Sequence, residues 1–534
     1  MMKKTIKKLL AALLAVAMVC AMAIPAFAET ENITDHHSYG GFQIFKGDVE
    51  GNKISNVQWG SSITNPTDFL AKLKEAPTIG NQFSKADNVQ DVLAVIGTWS
   101  DSDDYSIAFA RFVCKYLYPD ANANPTPVAT GNPTLTFPQA GYYLIVDITK
   151  FSPGDSYHAY NSFLLKVLQK DWNFDVTPKV EKPSVKKEVF DNNDIGSTGD
   201  NDGWHTSADH AINEKFQFKL TATLPASDAR VYDYYDEYMV TFCDTLSAGI
   251  TFDRWDTVVI NNGGADIPIP DENYHSDASN QELTLSIENV KTCATGLNLN
   301  KGATITVTYT AHLNDNATVN TAGGTTTTTT DNKNSVYLIY SNNPRSSAFV
   351  DTTPKSEVCV YTYQLNNTKY HDEIKEGNEL PGAGFRLYSD IACNEEQEIK
   401  LKQNEDGTYS RDFSTEGKGV EMKSAEDGTF NVKGLDAGTY YLKETTTPTG
   451  FNTCPVTTVV IKANHTENNV DLTGSTINGE GVGASGLSTT IVNKQGTTLP
   501  STGGIGTTLF YVIGGGLMVA AIVLLVTKKR MENK

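Results

Sequence analysis

The sequence predicts a mainly β protein. It reads as three tandem β-sandwich domains, the first with helical insertions, between an N-terminal signal peptide and a C-terminal transmembrane helix. Three observations carry this. Short segments rich in Thr, Val, Tyr and Ile, bounded by turn residues, recur through the middle and C-terminal parts. Two proline-bearing breaks cut the interior into pieces of ordinary domain size. Both ends of the chain carry an apolar run flanked by basic residues.

At the N-terminus, Lys3, Lys4, Lys7 and Lys8 precede an apolar stretch from Leu9 to Ile24, and Ala26-Phe27-Ala28 supplies small residues for cleavage. That pattern is a secretory leader over 1–28. The first domain, 29–178, holds the helical signals: Asp68 to Leu73, Asp91 to Ile96 and Ile107 to Leu117 place apolar residues at helical spacing. Asp175-Val176-Thr177-Pro178-Lys179-Val180-Glu181-Lys182-Pro183 then reads as a stiff, charged linker. The middle domain, 179–354, contains strand-like Phe216 to Ala222, Thr304 to Tyr309 and Ser335 to Tyr340. Its Gly323-Gly324 and the threonines from Thr325 to Thr330 read as a surface loop. Pro344 to Pro354 is the second break. The third domain, 355–498, includes the β-rich run Thr457 to Ile461. The last segment, 499–534, joins Leu499-Pro500-Ser501-Thr502-Gly503 to an apolar run from Thr507 to Thr527 and then to Lys528-Lys529-Arg530. A run of about 20 apolar residues spans a bilayer as a helix, and the basic cluster behind it stays cytoplasmic.

The chain carries 43 basic and 63 acidic residues. Removing the leader and everything after Thr502 deletes eight basic residues and one acidic one, taking the formal charge from −20 to −27. So acidic a surface disfavours nucleic acid and anionic lipid as partners. Of seven cysteines Cys20 leaves with the leader, and the other six are scattered without metal-like spacing. No metal and no cofactor is expected. Asp191 to Gly196 and Asp200 to Gly203 contain calcium-loop residues but lack the late glutamate, so they read as solvated turns. No hydrolase motif stands in a recognisable context.

The C-terminal arrangement of Leu499, Pro500, Ser501, Thr502 and Gly503, an apolar span and a basic tail resembles the sorting signal of Gram-positive surface proteins. The resemblance implies cleavage by a sortase between Thr502 and Gly503 and transfer of the threonine carbonyl to an amine. Trp172-Asn173-Phe174-Asp175-Val176-Thr177-Pro178-Lys179 resembles the pilin motif of backbone (major) pilins of sortase-assembled pili. It implies Lys179 as the amine of the next subunit, with Lys182 as its competitor. The implied partners are pilus-class and housekeeping sortases, identical subunits in a head-to-tail polymer, and peptidoglycan. The implied place is the cell wall and a surface pilus.

Two further resemblances concern internal cross-links. Leu380 to Tyr388 and Gly438-Thr439-Tyr440-Tyr441-Leu442-Lys443-Glu444-Thr445 are similar to the first strands and the E-box of a Cna-B-like domain, an immunoglobulin-like sandwich. Carried over by position, Lys369 and Asn493 would form an intramolecular isopeptide bond promoted by Glu444. In the middle domain, Pro183 to Val189, Phe242 to Phe252 and Asn332 to Pro344 resemble the other collagen-adhesin-type fold. Two-residue alternation selects Lys187 over Lys186 as the inward lysine. The resemblance implies Asp244 as the acid and Asn334 as acceptor, with Asn332 as the alternative. Val336 departs from the alanine usual there. Burial favours a neutral lysine amine and a protonated acid, and that acid is expected to hydrogen-bond the asparagine carbonyl. Gly141 to Asp147 resembles an E-box with aspartate in the acid's place, but a bond from Lys46 to Asn173 is not expected. The resemblance implies a structural shaft subunit and not an enzyme. The alternative is a wall-anchored monomeric or ancillary adhesin, for which the sequence names no host ligand.

Overall fold

The computed structural model describes residues 37–50, 53–100, 103–119, 123–149, 162–176, 182–191, 203–228, 230–279, 281–321, 325–327, 332–344, 350–414, 419–497 and 505–532. The expected leader 1–28, Lys179, the Asp200 turn, Gly323-Gly324 and Leu499 to Gly503 lie outside these residues.

The first unit is built on β1 (Tyr39–Glu50), β2 (Lys53–Trp59), α1 (Pro66–Lys74), α2 (Val89–Ile96), α3 (Asp104–Leu117), β3 (Thr134–Phe137), β4 (Gly141–Asp147), β5 (Phe163–Val167) and β6 (Trp172–Asp175). The main sheet runs β2-β1-β4-β5, and β3 pairs with β6 in a separate ribbon. Each side of the sheet meets a different cover. Phe42, Ile44 and Leu144 pack under helical Phe69, Leu73, Phe109 and Val113. Tyr39, Tyr143 and Ile145 pack under Leu135 and Phe137 of the ribbon. The first two helices start where short polar side chains cap them: Asn65 accepts from the Asp68 N–H, and Asn88 from those of Gln90 and Asp91.

The middle unit is a two-sheet sandwich of β7 (Ser184–Phe190), β8 (Ser207–Asp209), β9 (Lys215–Leu224), β10 (Val240–Leu246), β11 (Ile250–Asn261), β12 (Glu282–Ile287), β13 (Ala303–Leu313), β14 (Asn332–Ser341) and β15 (Ser356–Tyr361). One sheet is ordered β11-β13-β9-β7 and the other β8-β15-β14-β10-β12. Strict alternation in β9 sends Phe216, Phe218, Leu220, Ala222 and Leu224 inward. The expected break at Pro344 to Pro354 falls inside this sandwich. Val350–Thr352 pairs with β14, and β15 pairs with both β14 and β8. The ladder hydrogen bonds of these residues outweigh the turn signal of the prolines, and the crossing to the next unit lies between Tyr361 and Tyr363.

The third unit contains β16 (Tyr363–His371), β17 (Gly384–Tyr388), β18 (Val432–Leu435), β19 (Gly438–Thr446), β20 (Thr457–Ile461), β21 (Asn469–Asp471) and β22 (Ser488–Asn493). One sheet places β16 between β18 and β22, and the facing one runs β17-β19-β20. The first and last strands lie parallel, with Lys369 opposite Ile491 and His371 opposite Asn493. Beyond them α4 (Ile505–Glu532) is long and apolar enough to cross a membrane over Leu509–Met531, at mean hydropathy 2.6.

The second and third units are stitched together. The Ile212 N–H donates to Gly434 O, the Leu487 N–H to Thr321 O, and Tyr363 Oη to Asp209 Oδ2 at 2.7 Å. Thr325–Thr327, expected as a loop, pairs antiparallel with β21 of the third unit. A threonine run has high β propensity and takes a ladder where an unpaired edge is within reach. Asp191 is also corrected: it is buried rather than solvated, and its Oδ2 accepts from the Asp209 N–H at 3.0 Å.

Candidate functional site

In the third unit Lys369, on the inward side of β16, is fully buried, as is Asn493 on β22. Their parallel register brings Lys369 Nζ to 2.6 Å from Asn493 Oδ1. Glu444 reaches in from β19 of the facing sheet and is 3 % exposed. Its Oε1 accepts from Asn493 Nδ2 at 2.6 Å, and its Oε2 from the Cys454 N–H at 2.8 Å. This differs from the expected acid–carbonyl hydrogen bond. The lysine takes the carbonyl side of the amide and leaves the nitrogen to the carboxylate. Burial lowers the Lys369 pKa.

In the middle unit the groups come from opposite sheets. Lys187 lies on β7, while Asp244 on β10 and Asn334 on β14 face it across the core. All three are at most 1 % exposed. Lys187 Nζ is 2.5 Å from Asp244 Oδ2. Burial pulls Lys187 down to about 8 against the attraction of Asp244, and it pushes Asp244 up. Both shifts favour passing the proton from the amine to the acid. Lys187 faces inward, whereas Lys186 is exposed and pairs with Glu188. The two candidate acceptors have different surroundings. Asn332 is engaged by backbone, its Oδ1 accepting from the Thr318 N–H and its Nδ2 donating to Thr318 O and Val360 O. Asn334 is fully buried in the core.

Sequence reasoning passed over Tyr309 of β13. Its hydroxyl lies 3.0 Å from Lys187 Nζ, 2.8 Å from Asp244 Oδ2 and 2.6 Å from Asn334 Nδ2. The signal available was alternation in β13, which sends Val307, Tyr309 and Ala311 inward together.

The first unit assembles no such trio among its described residues. Lys46 and Asn173 are both exposed and sit on separate sheets. Asp147, at the E-box acid position, is buried against His37, with Nδ1 at 2.6 Å from Oδ2. Of the linkage motif, Trp172 and Phe174 on β6 lie with ring centroids 5.5 Å apart, tilted at 49°, and the exposed Lys182 lies beyond it.

Among the described residues no disulfide joins the cysteines.

Comparison with known proteins matches residues 364–476 to a prealbumin-like fold domain of the SpaA type and residues 491–533 to the LPXTG cell wall anchor motif. The trypsin-resistant surface T6 protein of Streptococcus pyogenes serotype M6 is 25% identical over 412 residues, covering 66% of this chain and 70% of that protein. Among solved structures, the T6 backbone pilin of S. pyogenes superposes with a TM-score of 0.46 at 15% identity, covering 87% of this chain and 97% of that one. The full-length major pilin SpaD from Corynebacterium diphtheriae gives 0.41 at 17% identity, covering 71% and 87%. The chain thus carries an LPXTG cell wall anchor motif and a prealbumin-like domain of the SpaA type, and over about two thirds of its length it is similar to a streptococcal surface protein.

Proposed function

We propose that the chain is the shaft subunit of a covalent pilus, cut between Thr502 and Gly503 and joined through Thr502 to Lys179 of the next copy. In this reading its middle and third units, which meet at the crossing between Tyr361 and Tyr363, are each locked by one lysine–asparagine isopeptide bond. Lys187 joins Asn334 with Asp244 as promoter, and Lys369 joins Asn493 with Glu444. The observation that carries the reading is the Lys369 Nζ to Asn493 amide contact at 2.6 Å inside a fully buried site with a carboxylate on the amide nitrogen.

The chemistry follows from that burial. An amine pushed toward neutrality attacks the amide carbon, and the acid carries the proton that this amine sheds to the departing nitrogen, which leaves as ammonia. Adjacent strands hold the pair at contact and provide the effective concentration. Each acid acts once, within its own chain, so the protein is a structural subunit without turnover. Pilus-class sortase, identical subunits and, through the housekeeping sortase, peptidoglycan are its partners. No observation favours the adhesin alternative.

The test is intact mass of the exported chain from a sortase-deficient host. Two internal bonds lower the mass by two ammonias, about 34 Da, and Lys187→Ala or Lys369→Ala each restores about 17 Da. A wild-type mass equal to the sum of its residues would leave Lys187 in a buried ion pair with Asp244 and Lys369 as a hydrogen-bonded core lysine. For the linkage, Lys179→Ala should abolish polymer ladders in a sortase-bearing host while Lys182→Ala leaves them. The reverse pattern would make Lys182 the acceptor amine.

A further inference from the structure

The two buried sites solve the same problem with acids of different length. Glu444 touches the leaving nitrogen directly, with Oε1 at 2.6 Å from Asn493 Nδ2. The side chain of Asp244 is one methylene shorter. Its Oδ2 is held by Lys187 and Tyr309, and its Oδ1 is buried without a hydrogen-bond partner. The group at the leaving nitrogen of Asn334 is instead the Tyr309 hydroxyl, at 2.6 Å. A phenol has one proton to donate and two lone pairs. Here all are used: it donates to Asp244 and accepts from Lys187 and Asn334.

We propose that Tyr309 is a catalytic residue of the middle-domain cross-link, relaying a proton from Asp244 to the departing ammonia of Asn334. The inference rests on the proposed Lys187–Asn334 bond. The Lys187 ammonium first gives a proton to Asp244, leaving a neutral amine and a carboxylic acid. The amine attacks Asn334 Cγ, forming the new C–N bond. Asp244 then passes its proton to the Tyr309 oxygen as the phenol passes its own to Nδ2. The old C–N bond breaks, ammonia leaves, and the proton remaining on the new amide returns to Asp244. Tyr309 ends as it began, which suits a phenol whose burial holds its pKa well above the ordinary value and forbids a lasting phenolate. The Asn334 Oδ1 atom is buried without a hydrogen-bond partner, so the carbonyl is unencumbered as attack begins.

The experiment compares the exported wild-type chain with Tyr309→Phe, Lys187→Ala and the double variant Tyr309→Phe with Asp244→Glu, by intact mass against time after synthesis. A proton relay contributes about 10²–10⁴-fold to rate. Tyr309→Phe should therefore complete the Lys369 bond, lag at least about a hundredfold in losing the second ammonia, and melt where Lys187→Ala melts. In the double variant the longer acid reaches Nδ2 itself and restores the second loss. Tyr309→Phe that matches the wild-type rate overturns the relay. So does Tyr309→Phe that melts well below Lys187→Ala, or a folded double variant that stays unlinked, since either makes Tyr309 a packing residue. A wild-type chain whose mass equals that of Lys187→Ala plus the substitution difference fails the underlying bond instead, and the two failures are thereby distinct.

Discussion

At the scale of single residues, the neighbouring pair Asn332 and Asn334 tests the proposed split between a structural and a chemical role on one strand. Asn332→Ala strips hydrogen bonds from Thr318 and Val360, whose backbone groups it serves. It should cost about 1–3 kcal/mol, as orphaned buried groups do, yet leave both ammonia losses intact. Asn334→Ala should cancel one loss. Thermal melts beside intact masses check the pair, and a bond lost in Asn332→Ala would make that residue the acceptor. Glu444→Gln should likewise cancel the loss in the third unit, because an amide cannot protonate departing ammonia. Much of this was legible in the sequence. Alternation singled out Lys187, and the E-box and last-strand patterns singled out Glu444 and Asn493. Tyr309 was not legible, because an inward tyrosine in a sandwich strand is ordinary core, and only its three-way contact marks it.

At the scale of elements, the ladders decide what turn residues only suggest. Pro344 and Pro354 mark a break in composition, but β15 beyond them completes the middle sheet by pairing with β14. The threonine run pairs with β21, which composition cannot foresee because the pairing is between units. A confined point of the junction is Gly434 on β18. It has φ +75°, and an added Cβ would stand 2.5 Å from the Ile212 side chain. Gly434→Val combines a strained backbone with overpacking, and about 2–4 kcal/mol of destabilisation is expected. Denaturant melts of the cross-linked chain should register it as a lower midpoint for the paired second and third units. An unchanged midpoint would mean the contact yields without cost.

At the scale of the whole molecule, the same junction buries an acidic cluster. Asp436 of the third unit faces Asp209, Asp191 and Glu214 of the second, with Arg411 and Tyr440 nearby and His465 Nε2 3.8 Å from Asp209. Burial, with Glu214 and Asp191 adding to it and Asp209 opposing, pushes Asp436 up to about 7. A carboxyl whose folded value is raised gives full stability below its unfolded value near pH 4. That stability is lost as pH climbs to about 7, by roughly 4 kcal/mol at most. The melting temperature should therefore fall between pH 5 and 7, and Asp436→Asn should flatten that slope. Equal slopes in the two proteins would place the titration elsewhere. Three-unit architecture, anchor and surface charge were readable from composition and end signals, whereas this cluster, assembled from residues more than 200 positions apart in the sequence, was not.

The parallel pairing of β16 with β22 has a mechanical consequence. In the proposed polymer a pull enters the third unit at Tyr363 and leaves through Asn493 toward the Thr502 linkage. With Lys369 bonded to Asn493, the tether runs from Tyr363 to Lys369 and straight out, bypassing the 124-residue separation between the joined side chains. At about 3.4 Å per residue, some 400 Å of contour is withheld from extension. Such a thread would transmit a tug almost without lengthening, so a bacterium tethered by it would feel each jolt at its wall rather than have the fibre absorb it by unravelling.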